Sequence, residues 1–183
     1  MKIKTLLKSA LLIPISTMAM AGETDRIITK HDVASAQTNW CRSVINISQT
    51  YEENGHEAAE ELAREVIREA YAYDNGMVLF KPTLTTNPDT FRLTSEGALS
   101  YFVGGNEDFP QDTGFALNNW TQCRVNNAAV LMVGDMAHTM GKVHFTNADG
   151  DVTTVDKTWT FVKDAKDTLR ITVHHSSLEH SVD

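Results

Sequence analysis

The spacing of apolar residues changes character midway along the chain. Val33, Ala36, Trp40, Val44, Ile47 and Tyr51 recur every three or four positions, which predicts an amphipathic helix over residues 32–51. Asn54-Gly55 interrupts it. Ala59, Leu62, Ala63, Val66, Ala70 and Tyr73 then predict a second helix over 57–73. Its other face carries Glu60, Glu61, Arg64, Glu65, Arg68 and Glu69, the pattern of a solvated surface. A turn at Asn75-Gly76 leads to a short strand from Met77 to Phe80. Thr94 is placed to cap a short helix running through Val103, with Gly104-Gly105 after it. Residues 106–119 read as a long loop, a candidate lid or subunit contact.

Beyond residue 119 the period shortens to two. Strands are predicted over 120–125, 129–133, 137–146, 153–162 and 169–176. Turns are expected at Asn126-Asn127, Gly134-Asp135, Asp149-Gly150 and 164–167. Helices followed by a meander of antiparallel strands define an α+β fold. No helix separates the late strands, so a doubly wound parallel sheet is disfavoured.

The first residues belong to a different pattern. Lys2, Lys4 and Lys8 accompany a short apolar stretch, and Ala19-Met20-Ala21 is a small-x-small sequence. Together they predict a signal peptide over residues 1–21, leaving 22–183 as one exported domain in the periplasm or medium, with no stable membrane insertion after cleavage. The apolar stretch is too short for a spanning helix. A chain of 183 residues is otherwise one domain's worth, without repeats or heptads. Its formal charge of −8 becomes −11 once those three lysines are removed. That balance disfavours nucleic acid and anionic lipid as partners. It points to a small molecule or a second copy. Cys41 and Cys123 are the only cysteines, and both a disulfide and a pair of buried thiols fit the sequence.

Candidate chemistry concentrates in the last strand. Strict alternation puts Arg170, Thr172, His174 and Ser176 on one face, with Ile171, Val173, His175 and Ser177 on the other. A neutral imidazole with a hydroxyl two residues away suits a polar pocket. In the preceding strand, Lys157, Trp159 and Phe161 alternate with Thr158 and Thr160, a pattern of core aromatics backed by a threonine row. His138 and His144 can share a strand face, but no nearby carboxylate or thiol completes a zinc set. There is no glycine-rich nucleotide loop, nucleophile elbow or EF-hand pattern.

Four segments carry a family resemblance. They are Tyr71-Ala-Tyr-Asp-Asn-Gly-Met-Val-Leu-Phe-Lys-Pro-Thr83, Glu96-Gly-Ala-Leu-Ser-Tyr-Phe-Val-Gly-Gly105, Val155-Asp-Lys-Thr-Trp-Thr-Phe161 and His174-His-Ser-Ser177. The chain resembles the iota-class carbonic anhydrases, most closely their metal-free single-domain branch, over most of residues 32–178. It departs from that pattern at Leu178-Glu-His180, where a proline usually follows the serines. The resemblance implies a cone-shaped barrel like nuclear transport factor two and ketosteroid isomerase, with N-terminal helices packed in a strongly curved antiparallel sheet. It also implies a homodimer, and reversible hydration of carbon dioxide to bicarbonate with no cofactor, manganese or zinc being left open. It puts bicarbonate on Thr83, Tyr101 and Ser176, with His174 nearby. Without a metal a side chain must be the base; His174 is the natural candidate and Tyr101, which ordinarily titrates at about 10, the second choice. The rival expectation is a non-catalytic periplasmic small-molecule-binding or dimerisation domain of the same fold. That predicts an aromatic pocket without convergent hydroxyls, or no enclosed polar cavity.

Overall fold

The computed structural model describes residues 27–180, so the signal-peptide expectation for 1–21 lies outside the described residues. Helix α1 spans Lys30–Asn54. It opens with a reciprocal cap in which Thr29 Oγ1 accepts from the Asp32 amide and the Asp32 carboxylate accepts from the Thr29 amide. Helix α2 spans His56–Ala70 and α3 spans Ser95–Val103, the latter capped by Thr94 through the Gly97 amide. Helix α2 stops before the expected residue 73 because Tyr71 leaves it to bridge Ile171 and the Ala72 amide bonds the Ile171 carbonyl. Arg170 then satisfies the free carbonyls of Arg68 and Tyr71 at that helix end.

The strands are β1 (Leu79–Lys81), β2 (Trp120–Val133), β3 (Met136–Asn147), β4 (Val152–Lys163) and β5 (Leu169–Leu178). They form one open sheet in the order β1-β5-β4-β3-β2. Strands β2 to β5 run as the expected antiparallel meander, but β1 joins β5 in parallel, so the sheet is mixed. The long connection between β1 and β2, which contains α3, carries the chain from one edge of the sheet to the other.

Two bulges depart from the sequence expectation. Asn126-Asn127 is not a turn: β2 continues through it, with a register shift between Asn127 and Ala129. A Cβ on the facing Gly141 would lie 2.3 Å from the Asn126 carbonyl, so only glycine permits this close approach. In β5, Thr160 pairs with Val173 and Phe161 with Ile171, which makes Thr172 an extra residue. The bulge reverses alternation upstream of it. Ile171, His174 and Ser176 are therefore buried together, whereas Arg170 turns to the end of α2 and does not share their face.

Helix α1 lies across the sheet and is fastened to β2. Cys41 and Cys123 form a disulfide, resolving the two readings of the cysteine pair. Ser48 Oγ accepts from the Trp120 amide at 2.7 Å, and the Gln37 and Asn127 side-chain amides exchange hydrogen bonds. The core between helices and sheet includes Trp40, Val44, Ile67, Phe102, Phe145, Trp159 and Phe161. Among the described residues no helix is long and apolar enough to cross a membrane.

Candidate active site

Three hydroxyls enter one pocket from three parts of the fold. Ser176 comes from β5, Thr83 from the segment just after β1, and Tyr101 from α3. Parallel pairing of β1 with β5 aligns Lys81 with His175 and so carries the following Pro82-Thr83 alongside the serines. Thr83 Oγ1 and Ser176 Oγ stand 2.6 Å apart. The Tyr101 hydroxyl faces Thr83 and the Thr83–Leu84 backbone, yet it completes no hydrogen bond within the described residues. Burial pushes it up to about 12, so it is a donor at neutral pH.

The Thr83 loop and the helix that carries Tyr101 are pinned by one ion pair. Arg92 and Asp112 are both almost fully buried and make a two-pronged contact at 2.7 and 3.0 Å. Ser100, next to Tyr101, donates to the same carboxylate at 2.8 Å. The Arg92 guanidinium also reaches the Asp89 carbonyl and lies 4.2 Å over the Phe109 ring. Residues 82–94 and 106–112 are thereby drawn against α3. Phe115, from the segment read as a lid or subunit contact, lines the pocket and stacks on Tyr101.

The imidazole side is equally constrained. His174 is buried and stacks on Phe80 with ring centroids 4.4 Å apart. Its Nδ1 is 2.8 Å from the Tyr71 hydroxyl, which accepts from Trp40 Nε1 at 2.9 Å. Its Nε2 is 3.0 Å from Lys157 Nζ. Burial, then the neighbouring Lys157 and His175, hold His174 well below the ordinary histidine range, so the ring is neutral at pH 7. Burial also brings Lys157 down to about 7.

Thr83, Tyr101, His174 and Ser176 thus line one pocket, and His175 is exposed on the opposite face. The pocket is small and tightly lined, and Phe80, Phe102 and Phe115 make its apolar wall. It presents hydroxyl donors to an oxygen-rich anion of a few atoms, beside a neutral nitrogen base. Sequence reasoning missed Lys157, Tyr71 and Trp40 as members of this network. Lys157 was legible as an anomaly, a lysine in phase with Val155, Trp159 and Phe161 on the inward side of β4. Tyr71 and Trp40 carried no signal distinguishing them from ordinary core aromatics. Among the described residues, no group of three or more His, Cys, Asp or Glu side chains is arranged to hold a metal ion.

The chain is similar to known proteins along most of its length. The family model described as metal-independent carbonic anhydrase matches residues 31–178. A metal-independent carbonic anhydrase from a Nostoc species is 49% identical over 156 residues, which cover 85% of this chain and 76% of the relative. The crystal structure of an iota-carbonic anhydrase from a cyanobacterium, complexed with bicarbonate, matches with a TM-score of 0.85 and 45% identity. That match covers 96% of this chain and 100% of the other. A putative calcium/calmodulin-dependent protein kinase II association domain from Xanthomonas campestris matches with a TM-score of 0.57 over 85% of this chain and 91% of that one. At 20% identity, it shows the fold alone.

Proposed function

This chain belongs to the metal-independent carbonic anhydrases, and on that premise we propose that the pocket of Thr83, Tyr101, His174 and Ser176 is where it hydrates carbon dioxide. The reaction is the reversible conversion of carbon dioxide and water to bicarbonate and a proton. The observation that carries the assignment is the convergence of three hydroxyls and a neutral imidazole on one small pocket. Convergent hydroxyls suit an oxygen-rich anion such as bicarbonate better than the larger apolar ligand of a non-catalytic binding domain.

Hydration places negative charge on the former carbon dioxide oxygens as the water oxygen bonds to carbon. Thr83, Tyr101 and Ser176 donate to those oxygens from fixed positions in a largely apolar enclosure, where such bonds are worth more than in water. Tyr101 is suited to this because its proton has no other acceptor among the described residues. Water's proton leaves on the imidazole side, with His174 as the base. No metal enters this scheme. The family's metal independence supports that reading.

The wider proposal is an exported homodimer of cone-shaped domains, with bicarbonate and carbon dioxide as its small-molecule partners. The lysine-rich start, the Ala19-Met20-Ala21 sequence and the Cys41–Cys123 disulfide support cleavage after residue 21 and passage to the periplasm or medium. Exposed Leu131, Val133 and Met140 on β2 and β3 support self-association through the sheet. Rates of carbon dioxide hydration by the purified protein, before and after chelation, with metal measured on the same sample, test the chemistry. Activity that disappears on chelation and returns with manganese or zinc would overturn the metal-free scheme. Intact mass of the exported protein and light scattering test the remainder.

A further inference from the structure

Lys157 lies in the pocket wall without a role in the scheme above. It pairs with Ser176 across the β4–β5 ladder and is buried. Trp40 from α1, Trp159 from β4 and Phe145 from β3 turn ring faces to its Nζ, at 4.4, 5.3 and 5.8 Å. Ring faces attract a cation through their quadrupole, and a neutral amine gains little from them. His174 Nε2, 3.0 Å away, offers a lone pair to one N–H of an ammonium. The neutral imidazole then carries its proton on Nδ1 and donates to the Tyr71 oxygen, whose other lone pair takes the Trp40 N–H. The surroundings of Nζ therefore suit a cation, with N–H bonds left over for the pocket.

That cation has no counter-charge among the described residues. His174 from β5 is neutral, and neither Tyr71 behind it nor Tyr101 from α3 is ionised at neutral pH. Asp112, whose charge is felt at Tyr101, is taken by Arg92. Asp156, adjacent in β4, is exposed and paired with Lys142. His175 stands on the opposite face of β5, and Lys81 from β1 donates to the Ser176 carbonyl, so neither adds negative charge. Burying a charge without a partner costs free energy, and burial alone brings Lys157 down to about 7. The chain as a whole is acidic, with a formal charge of −8, so its net field repels anions and an anion site needs a cation within it.

We propose that the Lys157 ammonium is the charged partner of bicarbonate in this pocket, completing the cage of Thr83, Tyr101 and Ser176. This rests on the carbonic anhydrase reading of the pocket. An oxyanion is a stronger acceptor than a neutral imidazole, so the N–H that rests on Nε2 turns to the anion when one is bound. Nε2 thus serves the ammonium and the water's proton in turn, never together. In hydration the water oxygen bonds to carbon, and one C=O π pair becomes the charge that draws Lys157 away from Nε2. The water O–H bond breaks and its proton joins the freed Nε2 lone pair, while the ammonium keeps all of its protons. Imidazolium and ammonium then share the new anion until the imidazolium passes its proton to solvent.

Nitrate tests this as a planar three-oxygen monoanion that does not titrate near neutrality. Calorimetry follows its binding to the metal-free wild type, Lys157→Met and Ser176→Ala from about pH 6 to about pH 9. Wild-type affinity should be full below the Lys157 transition at about 7. Above it, affinity should fall by up to about tenfold per pH unit, with a proton taken up on binding. Lys157→Met should lose about 10- to 100-fold in affinity at about pH 6, together with that slope. Ser176→Ala should weaken both nitrate binding and hydration but keep the slope. Should Ser176→Ala behave so while Lys157→Met keeps affinity and slope, the pocket reading stands and the Lys157 role is overturned. Full hydration activity in Ser176→Ala overturns the pocket reading and the proposal with it. Nitrogen-15 lysine resonances of the wild type decide the matter however Lys157→Met folds. One Nζ should titrate near neutrality, and at higher pH with nitrate bound. Nitrate that moves no Nζ titration, or that does not bind at all, refutes the proposal.

Discussion

Thr83 Oγ1 and Ser176 Oγ lie 2.6 Å apart, although 93 residues separate them in the chain. Each can donate to only one partner at a time, so one hydroxyl proton of the pair is free to turn to an oxyanion. Ser176→Ala and Thr83→Val each remove a member of this pair. Either substitution should lower kcat by about 100-fold, the usual loss for one oxyanion donor. Stopped-flow carbon dioxide hydration measures this directly.

Tyr101→Phe separates activity from stability. The hydroxyl makes no hydrogen bond within the described residues, so its removal leaves no partner stranded. Folding stability should change by less than about 1 kcal/mol, while kcat falls about 100-fold. Urea unfolding and hydration rates on the same preparation check both halves.

The buried bases predict how stability follows pH. Lys157 titrates near 7 in the folded chain against its ordinary 10.5, so between those values the unfolded chain binds a proton that the folded chain does not. Stability should rise with pH across that window by up to about 1.4 kcal/mol per unit. His174 is also depressed, so stability falls as pH drops below the ordinary histidine value of 6.5. Urea midpoints against pH should show both trends, with the alkaline rise flattened in Lys157→Met.

Asp112→Asn removes the counter-charge from a buried guanidinium. Leaving such a charge unpaired costs about 3–5 kcal/mol. Because the same carboxylate accepts from Ser100 and ties down the Thr83 loop, activity should fall further than Ser100→Ala alone reduces it. Chemical unfolding of both variants, with hydration rates, tests this.

Replacing Cys41 and Cys123 with serine opens a loop spanning a sequence separation of 82 residues. The loss of constraint on the unfolded chain should lower stability by about 4 kcal/mol. The pocket does not contain the disulfide, so the folded variant should retain its hydration rate. Calorimetry and a rate measurement below the unfolding transition address these two expectations.

Periodicity and capping alone made the helices and most strands legible. Thr94 and Val33 through Ile47 act within a few residues of chain, where spacing dictates which side chains meet. His174 and Ser176 shared a face for the same reason, two positions apart in one strand. Strict alternation nevertheless failed upstream, because the Thr172 bulge is decided by pairing with β4. Family resemblance, not spacing, supplied Thr83 and Tyr101. Their meeting depends on parallel pairing of β1 with β5 and on the Arg92–Asp112 contact. Lys157 was visible in the sequence only as a lysine in an apolar row. Its charge state depends on the aromatic faces and the imidazole that displace water around it. Desolvation is a property of what surrounds an atom in space, and those surroundings come from α1, β3, β4 and β5 together.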